Sequence, residues 1–370
     1  MSKILVGYII NGRAGGIDRY LLNFLNVMHD SDVQVDFLTT KVDKSLKLEL
    51  QDYGSRLYEI PSLRHPLKQY QKMCKIFNYT TYDIAYFNIS TTLNGIGVFS
   101  AKHFAVPKRI LHSHSSGVDC SNALKRNLLC LLNKIGRIFL YKAGTDYFAC
   151  SIQAGKWLFP NKIVDSAHFS IIPNVIDTKK FAFNSEMRRD YRKKLNLNHH
   201  FVLGHVGNFC YQKNQSYLIS VFCEVAKKNS NAMLLLVGDG PDMEKIKRQC
   251  TRMNLTEKVI FLGRRCDVAE LLQAMDVLLL PSHFEGFPIV AVEAQASGLP
   301  CFLSDSISRE VDITDLVQRL SIKEAPAVWA ESINTTSCNL NRAAYASKVS
   351  EAGYDIKTTA KELKPFFLTS

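Results

Sequence analysis

The sequence contains no Cys-x-x-Cys pair, and none of its 10 cysteines stands near histidines at zinc spacing. A zinc ribbon or finger is thereby excluded, and thiols scattered through 370 residues point to a reducing compartment. No window approaches the ~18 uncharged apolar residues of a membrane span. The opening MSKILVGYIINGRAGG has a short apolar stretch followed by glycines, where a secretory signal would carry a small-residue cleavage site. A soluble cytoplasmic protein is the expectation. The nucleotide-binding glycine fingerprints are also missing. NGRAGGIDR and VGDGPDME lack G-x-G-x-x-G, and CSIQAGKW lacks the first glycine of a P-loop. Repeats of 20–50 residues and low-complexity tracts are absent as well.

What is present fits a two-domain enzyme. The length suggests two domains, and 46% hydrophobic with 22% charged residues is ordinary for a globular chain. The net charge of +12 is uneven: residues 1–170 hold 21 Lys and Arg against 12 Asp and Glu (+9), and the remainder holds 25 against 22 (+3). The first half is therefore the one expected to meet an acidic partner, whether anionic lipid, nucleic acid or a phosphorylated substrate.

KILVGYII reads as a buried strand, then a glycine loop, then a helix from about Asp18. VQVDFLTT, YDIAYFNI and KRILHSH follow as strands with helical stretches between them. The alternation restarts at Phe201 and runs through AMLLLVGDG, VIFLG, DVLLLPS and PCFLSD. Such alternation predicts α/β architecture: two doubly wound, Rossmann-like domains with parallel sheets. The boundaries expected are 1–172 and 173–354, with about 355–370 packing back on the first domain. RRDYRKKLN reads as a solvated helix. Ligands are expected in a cleft between the domains, in loops at the carboxyl ends of the strands.

One such loop is HFEGFPIVAVEA, in which Glu285 and Glu293 bracket seven uncharged residues. Gly286 permits close backbone approach. Pro288 suits the first turn of a helix running Ile289 to about Ser297, whose opening N–H groups and dipole favour phosphate oxygens. A carboxylate within an apolar helix face needs a partner, and a polyol's hydroxyls would serve. By spacing alone, two surface glutamates flanking a core helix fit equally well.

With these residues in place, the pattern resembles the E-x7-E signature of retaining nucleotide-sugar glycosyltransferases of family 4, also called group 1, which have the GT-B fold. VGNFCYQKNQSYLI, LLLVGDGPDMEKI, VIFLGRRCDVAELLQAMDVLLLPS and IIPNVIDTKKF stand in that family's order, and GRAGGIDRYLLNF, HSHSSG and ACSIQAGKWLF resemble its bacterial capsule and exopolysaccharide subset. The resemblance implies that Glu293 holds ribose hydroxyls and that Glu285 sits by the donor sugar. It places the amides of Gly286, Phe287 and Ile289 on sugar and phosphate, a slot Pro288 leaves empty. Lys213 would bind the diphosphate. The family's usual Arg is here Asn208, so one positive charge is missing, which Arg264 or Arg265 would have to supply. Gly15 and Gly16 would let the first-domain loop approach the diphosphate. Arg19 is open between an anionic acceptor and solvent.

In LHSHSS, strand alternation puts His112 and His114 on one side. The resemblance favours His114 as a donor-sugar contact, with His112 the competitor. No third metal ligand converges on them. Asp30-Ser31-Asp32 spells D-x-D but reads as a turn. Residues 123–144 place Leu128, Leu132, Ile135 and Phe139 at helical spacing among Lys125, Arg126, Lys134, Arg137 and Lys142, and the stretch LRHPLKQYQKMCKIFN adds Arg64, Lys68, Lys72 and Lys75. A core-facing helix and a helix lying on an anionic membrane both fit.

The enzyme that the resemblance implies is a hexosyltransferase that uses neither metal nor cofactor and moves a sugar from a UDP-linked donor to a hydroxyl of a polyprenol-diphosphate-linked saccharide, peripheral on the inner face of the plasma membrane. Two rivals stand beside it. A GT-B sugar-nucleotide epimerase would need paired acid and base carboxylates in the first domain, and its loops show none. A nucleic-acid-binding protein would need basic residues interleaved with aromatics in one motif, whereas here they are spread over helices.

Overall fold

The computed structural model describes residues 2–9, 16–29, 33–336 and 341–367. The chain divides into two compact units. One comprises Met1–Val118, Asn122–Asn174 and Ile356–Ser370; the other comprises Asp119–Ser121 and Val175–Asp355.

The first unit is built on seven strands: β1 (Ser2–Gly7), β2 (Val33–Thr39), β3 (Leu57–Glu59), β4 (Ile84–Ile89), β5 (Lys108–Ser113), β6 (Asp146–Ala149) and β7 (Phe169–Ile171). They are all parallel, in the order β3-β2-β1-β4-β5-β6-β7. Every residue of the central strand β4 is buried, as expected of a parallel strand covered on both faces. One face is packed by the helix Gly16–His29, through Tyr20, Leu21, Phe24 and Met28, together with Phe367 from the C-terminal helix Ile356–Phe367. The other is packed by Met73, Ile76 and Phe77, by Val98 and Ala101, and by Leu140 and Leu158.

The second unit holds β8 (Phe201–Val206), β9 (Ala232–Val237), β10 (Val259–Phe261), β11 (Val277–Leu280), β12 (Cys301–Ser304) and β13 (Val317–Leu320). They too are parallel, in the order β10-β9-β8-β11-β12-β13. The strand order reverses between β8 and β11 here, and between β1 and β4 in the first unit. At such a reversal the chain crosses over to opposite faces of the sheet, and the carboxyl edge there is where doubly wound sheets bind ligands.

Two expectations need correction. The helix Ser185–Lys194 is not simply solvated: Arg188 and Arg192 both pair with Asp276, at 2.5 and 3.2 Å, and Arg192 is buried. The core-facing option for residues 123–144 also fails. The helix Ala123–Leu140 buries only Asn133 and Leu140 and leaves Leu124, Leu128, Leu131 and Leu132 exposed.

Each unit carries one tryptophan, Trp157 in the first and Trp329 in the second, so the two can be followed separately. Phe367 is fully buried, with its ring 4.7 Å from Phe24 and 5.0 Å from Tyr86. Phe367→Ala should cost the first unit about 3–5 kcal/mol, the usual toll of emptying a buried aromatic site. Urea unfolding of single-tryptophan variants should show the Trp157 transition moving and the Trp329 transition staying.

Candidate functional site

The loops after β8 and β11 meet at the reversal point of the second sheet. After β8 the chain makes a tight 3-10 turn, Tyr211–Lys213, closed by Asn214 in the left-handed region (φ 54°), and then enters the helix Gln215–Lys228. A hydrogen bond from Asn214 Nδ2 to the Pro281 carbonyl (3.1 Å) and one from the His283 amide to the Gln212 carbonyl (2.8 Å) lace this turn to the loop after β11. The lacing brings Lys213 Nζ to 2.6 Å from Glu285 Oε1. Gln212 Nε2 donates to Glu285 Oε2 (2.8 Å) and Ser282 Oγ donates to Oε1 (2.7 Å). Glu285 is only 4% exposed, so ammonium and hydroxyl replace the water it has lost.

Beyond Glu285 the chain stays buried to the end of the helix Ile289–Ala296. Pro288 is the residue just before this helix, not a member of its first turn. Gly286, Phe287 and Ile289 form the helix entry, and Glu293, 1% exposed, lies on its second turn.

The glycines of VGDGP brace the same place. Gly238 and Gly240 have φ of 137° and 157°, and a Cβ on Gly238 would come within 2.0 Å of the Gly207 carbonyl oxygen. A side chain there would displace the loop that carries Lys213. His205, at the end of β8, adds a second brace. Its Nδ1 donates to the Leu279 carbonyl (2.8 Å), which leaves Nε2 to accept from Gln215 Nε2 (3.2 Å), and the same amide donates to the Asn208 carbonyl (2.8 Å). Burial lowers the His205 pKa to about 4, so the ring stays neutral.

Of the other second-unit candidates, Asn208 is exposed. Arg265 is engaged elsewhere, gripping Asp267 through two contacts at 2.7 and 2.5 Å and holding that carboxyl down at about 2. Arg264 stands 3.9 Å from Asp239 in an exposed pair. Neither arginine joins the Lys213–Glu285 pair.

In the first unit, His112 and His114 point to the same side, with ring centroids 3.9 Å apart. His112 is sealed in the core, where Nδ1 lies 2.5 Å from Tyr86 Oη, which in turn lies 2.6 Å from Tyr20 Oη. His114 is half-buried, and its Nε2 lies 2.8 Å from Asn88 Oδ1. Asn88 Nδ2 donates to the Gly7 carbonyl (3.3 Å), which fixes the amide with its oxygen toward the imidazole. Nε2 therefore carries the proton, and Nδ1, buried and without a partner, presents a lone pair. Burial lowers the His114 pKa to about 3, so this is a neutral acceptor suited to a hydroxyl rather than to an anion. Gly15 and the Asp30-Ser31-Asp32 turn lie outside the described residues, as does the Arg19 side chain; Gly16 opens the first helix and is exposed. Among the described residues, no group of three or more His, Cys, Asp or Glu is placed to hold a metal ion.

The family described as Glycosyltransferase Family 4 matches residues 14–180, and that described as Glycosyl transferases group 1 matches residues 187–350. The chain is 31% identical to the glycosyltransferase EpsF of Bacillus subtilis over 348 residues, which are 90% of this chain and 87% of that protein. This chain is a family 4, group 1 glycosyltransferase. The glycosyltransferase is also 31% identical over 316 residues to the UDP-Gal:alpha-D-GlcNAc-diphosphoundecaprenol alpha-1,3-galactosyltransferase of Escherichia coli, covering 82% of this chain and 80% of that enzyme. Among solved structures, Anabaena HepE with UDP and glucose superposes with a TM-score of 0.77 at 18% identity, over 99% of each chain. Sucrose-phosphate synthase from Thermosynechococcus elongatus superposes at 0.80 with 17% identity, over 99% of this chain and 98% of that one. These likenesses show the GT-B fold.

Sequence reasoning on this glycosyltransferase missed Gln212, Ser282, Gln215 and Asn88, the residues that hold Glu285, the loop after β8 and His114. Gln212 and Gln215 flank Lys213 in YQKNQ, but only the sheet order says that a turn after β8 meets a loop after β11.

Two outcomes follow for the glycosyltransferase. Lys213→Met strands a buried carboxylate and should cost about 3–5 kcal/mol. Glu285→Gln combined with Lys213→Met should cost less than Lys213→Met alone, a difference that thermal and urea unfolding will resolve. His205 and His114 have folded pKa values below the ordinary 6.5, and His112 lies well below it through burial and the neighbouring His114. The unfolded chain takes up protons that the folded chain refuses. Their stabilising contribution is therefore complete above about pH 6.5 and is lost as pH falls toward the folded values, by up to about 1.4 kcal/mol per pH unit per histidine. Urea midpoints measured between pH 8 and pH 5 should fall on the acid side.

Proposed function

We propose that this glycosyltransferase moves a sugar from a UDP-linked donor to a hydroxyl of a polyprenol-diphosphate-linked saccharide, with retention at the anomeric carbon, in surface-polysaccharide synthesis at the inner face of an anionic membrane. The observation that carries the site assignment is the 2.6 Å contact between Lys213 and Glu285 at the strand-order reversal. The E. coli relative, which is named for a diphosphoundecaprenol-linked acceptor and a UDP-linked donor, supports the substrate class. The structural neighbour solved with UDP and glucose supports the donor.

The second unit holds the nucleotide in this proposal. Glu293 accepts from the ribose hydroxyls, and the helix entry at Gly286, Phe287 and Ile289 meets sugar and phosphate. Glu285 accepts from hydroxyls of the donor sugar. Gln212 and Ser282 keep its carboxylate in place while Lys213 Nζ turns to the diphosphate. The bond between the anomeric carbon and the diphosphate oxygen breaks, and the electron pair leaves with the diphosphate, whose charge the ammonium offsets. The acceptor oxygen bonds to the same face, and its proton passes to the departing phosphate oxygen. With Asn208 in place of an arginine, Lys213 carries a larger share of that charge. In the first unit, His114 Nδ1 accepts from a sugar hydroxyl, and the Gly15–Gly16 loop lies by the phosphates. Arg265 stays a donor-side candidate only if it leaves Asp267.

A panel of nucleotide sugars assayed for hydrolysis and transfer tests this. UDP-sugars should turn over, and Glu285→Gln should lower kcat about 10²–10³-fold, the scale for removing one preorganised stabilising contact. Turnover unchanged by Glu285→Gln would remove the site assignment.

A further inference from the structure

The helix Ala123–Leu140 is amphipathic in the wrong sense for a helix serving a core. Leu128, Leu131, Leu132, Ile135, Ile138 and Phe139 recur at offsets of three and four, which gathers them on about a third of the helix circumference. With Leu124, these side chains are between 40% and 83% exposed. The side turned to the protein carries Asn133, Gly136 and Leu140. Asn133 Oδ1 accepts from the Thr92 amide (2.8 Å), and Asn133 Nδ2 donates to the Trp157 carbonyl (3.1 Å). At Gly136 a Cβ would meet Thr92 Oγ1 at 2.2 Å. Polar and small residues thus fix the helix to the body while its leucines face outward.

The surrounding charge says what covers them. Residues 60–145 contain twelve Lys and Arg but only two acids, Asp83 and Asp119, and there is no acid at all in the helices Pro66–Tyr79, Ile96–His103 and Ala123–Leu140. Asp83 accepts from the Lys3 amide at the base of the sheet, and Asp119 accepts from the Gln212 amide. Lys125, Lys134 and Lys142 stand exposed beside or at the end of the apolar stripe. The helix Pro66–Tyr79 packs on the same sheet face through Met73, Ile76 and Phe77, and exposes Lys68, Lys72 and Lys75 together with Leu67, which is 77% exposed. Lys102, on the helix between them, donates to the Lys142 carbonyl (2.8 Å). A second protein matched to so acid-free a surface would have to be strongly acidic and apolar at once. A bilayer with anionic headgroups offers both by construction. No helix among the described residues is long and apolar enough to cross it.

We propose that the outward face of Ala123–Leu140 is a membrane-insertion surface. Its leucines, isoleucines and Phe139 enter the headgroup–acyl boundary of an anionic bilayer, and the lysines of this helix and of Pro66–Tyr79 meet the lipid phosphates. This deepens the proposed function, resting on its lipid-linked acceptor, and names the residues that bring the enzyme to it.

Sedimentation of the full chain with phosphatidylcholine vesicles, with and without phosphatidylglycerol, tests the proposal. Binding should need phosphatidylglycerol and weaken with salt. Both Leu131→Gln/Ile138→Gln and Lys125→Glu/Lys134→Glu should reduce the bound fraction at least about tenfold, apolar insertion and charge acting as two required signals. All these positions are exposed, and UDP affinity, measured alongside, should not change. No binding to anionic vesicles, or binding that survives Leu131→Gln/Ile138→Gln, overturns the proposal. So does a dimer that this pair of substitutions dissolves while vesicles leave the wild type in solution, since the stripe would then join two copies of the chain. Vesicle binding without UDP binding would instead sink the donor assignment and leave the surface standing.

Discussion

A lysine ammonium pressed against a buried carboxylate is the constraint on which the second unit is arranged. Glu285 at 4% exposure is tolerable only because Lys213, Gln212 and Ser282 replace its water. Those partners come from a turn after β8 and a loop after β11, so the pair exists only because these two strands are neighbours. Much of the local architecture serves that meeting. Gly238 leaves room for the Gly207 carbonyl, Asn214 takes the left-handed turn, and His205 with Gln215 ties the backbone at Asn208 to β11. In the proposed chemistry this arrangement is poised rather than resting. The carboxylate keeps two neutral donors when the ammonium leaves for a diphosphate.

The first unit uses neutral groups where the second uses charge. Asn88 sets the His114 tautomer and burial keeps the ring uncharged, which gives an acceptor matched to hydroxyls. The second histidine is spent inside the core on Tyr86. On the sheet face that carries Met73 and Leu140, the same unit turns a basic, leucine-studded surface outward. One sheet thus carries a neutral imidazole acceptor at its carboxyl edge and an exposed apolar and basic helix beside it, the surface proposed to meet lipid.

Much of this was legible in the sequence, for physical reasons. Continuous β-branched and leucine runs such as KILVGYII and DVLLLPS, bounded by turn residues, read as strands buried on both sides, and their alternation with helices predicts parallel sheets. Four strands escaped. Leu57–Glu59, Asp146–Ala149, Phe169–Ile171 and Val317–Leu320 are no shorter than Val259–Phe261, but each includes a polar or charged residue that interrupts its apolar run. The arginines of Ser185–Lys194 looked like solvated charge because their partner, Asp276, lies 88 and 84 residues away. The apolar spacing of residues 123–144 was plain, but which side of that helix met the protein was not. The answer depended on Thr92 accepting a close approach at Gly136, a contact no local pattern encodes. The E-x7-E spacing located Glu285 and Glu293, yet the bond between Lys213 and Glu285 is a product of sheet order.

The central claim is that Lys213 exchanges its carboxylate partner for the donor's diphosphate. Calorimetric titration of UDP against uridine tests it most directly, in the wild type, Lys213→Met and Glu285→Gln. The account predicts that Lys213→Met erases most of the preference for UDP while leaving uridine binding intact, and that Glu285→Gln, which frees the ammonium, keeps or increases that preference. An unchanged UDP-over-uridine ratio in Lys213→Met would contradict it.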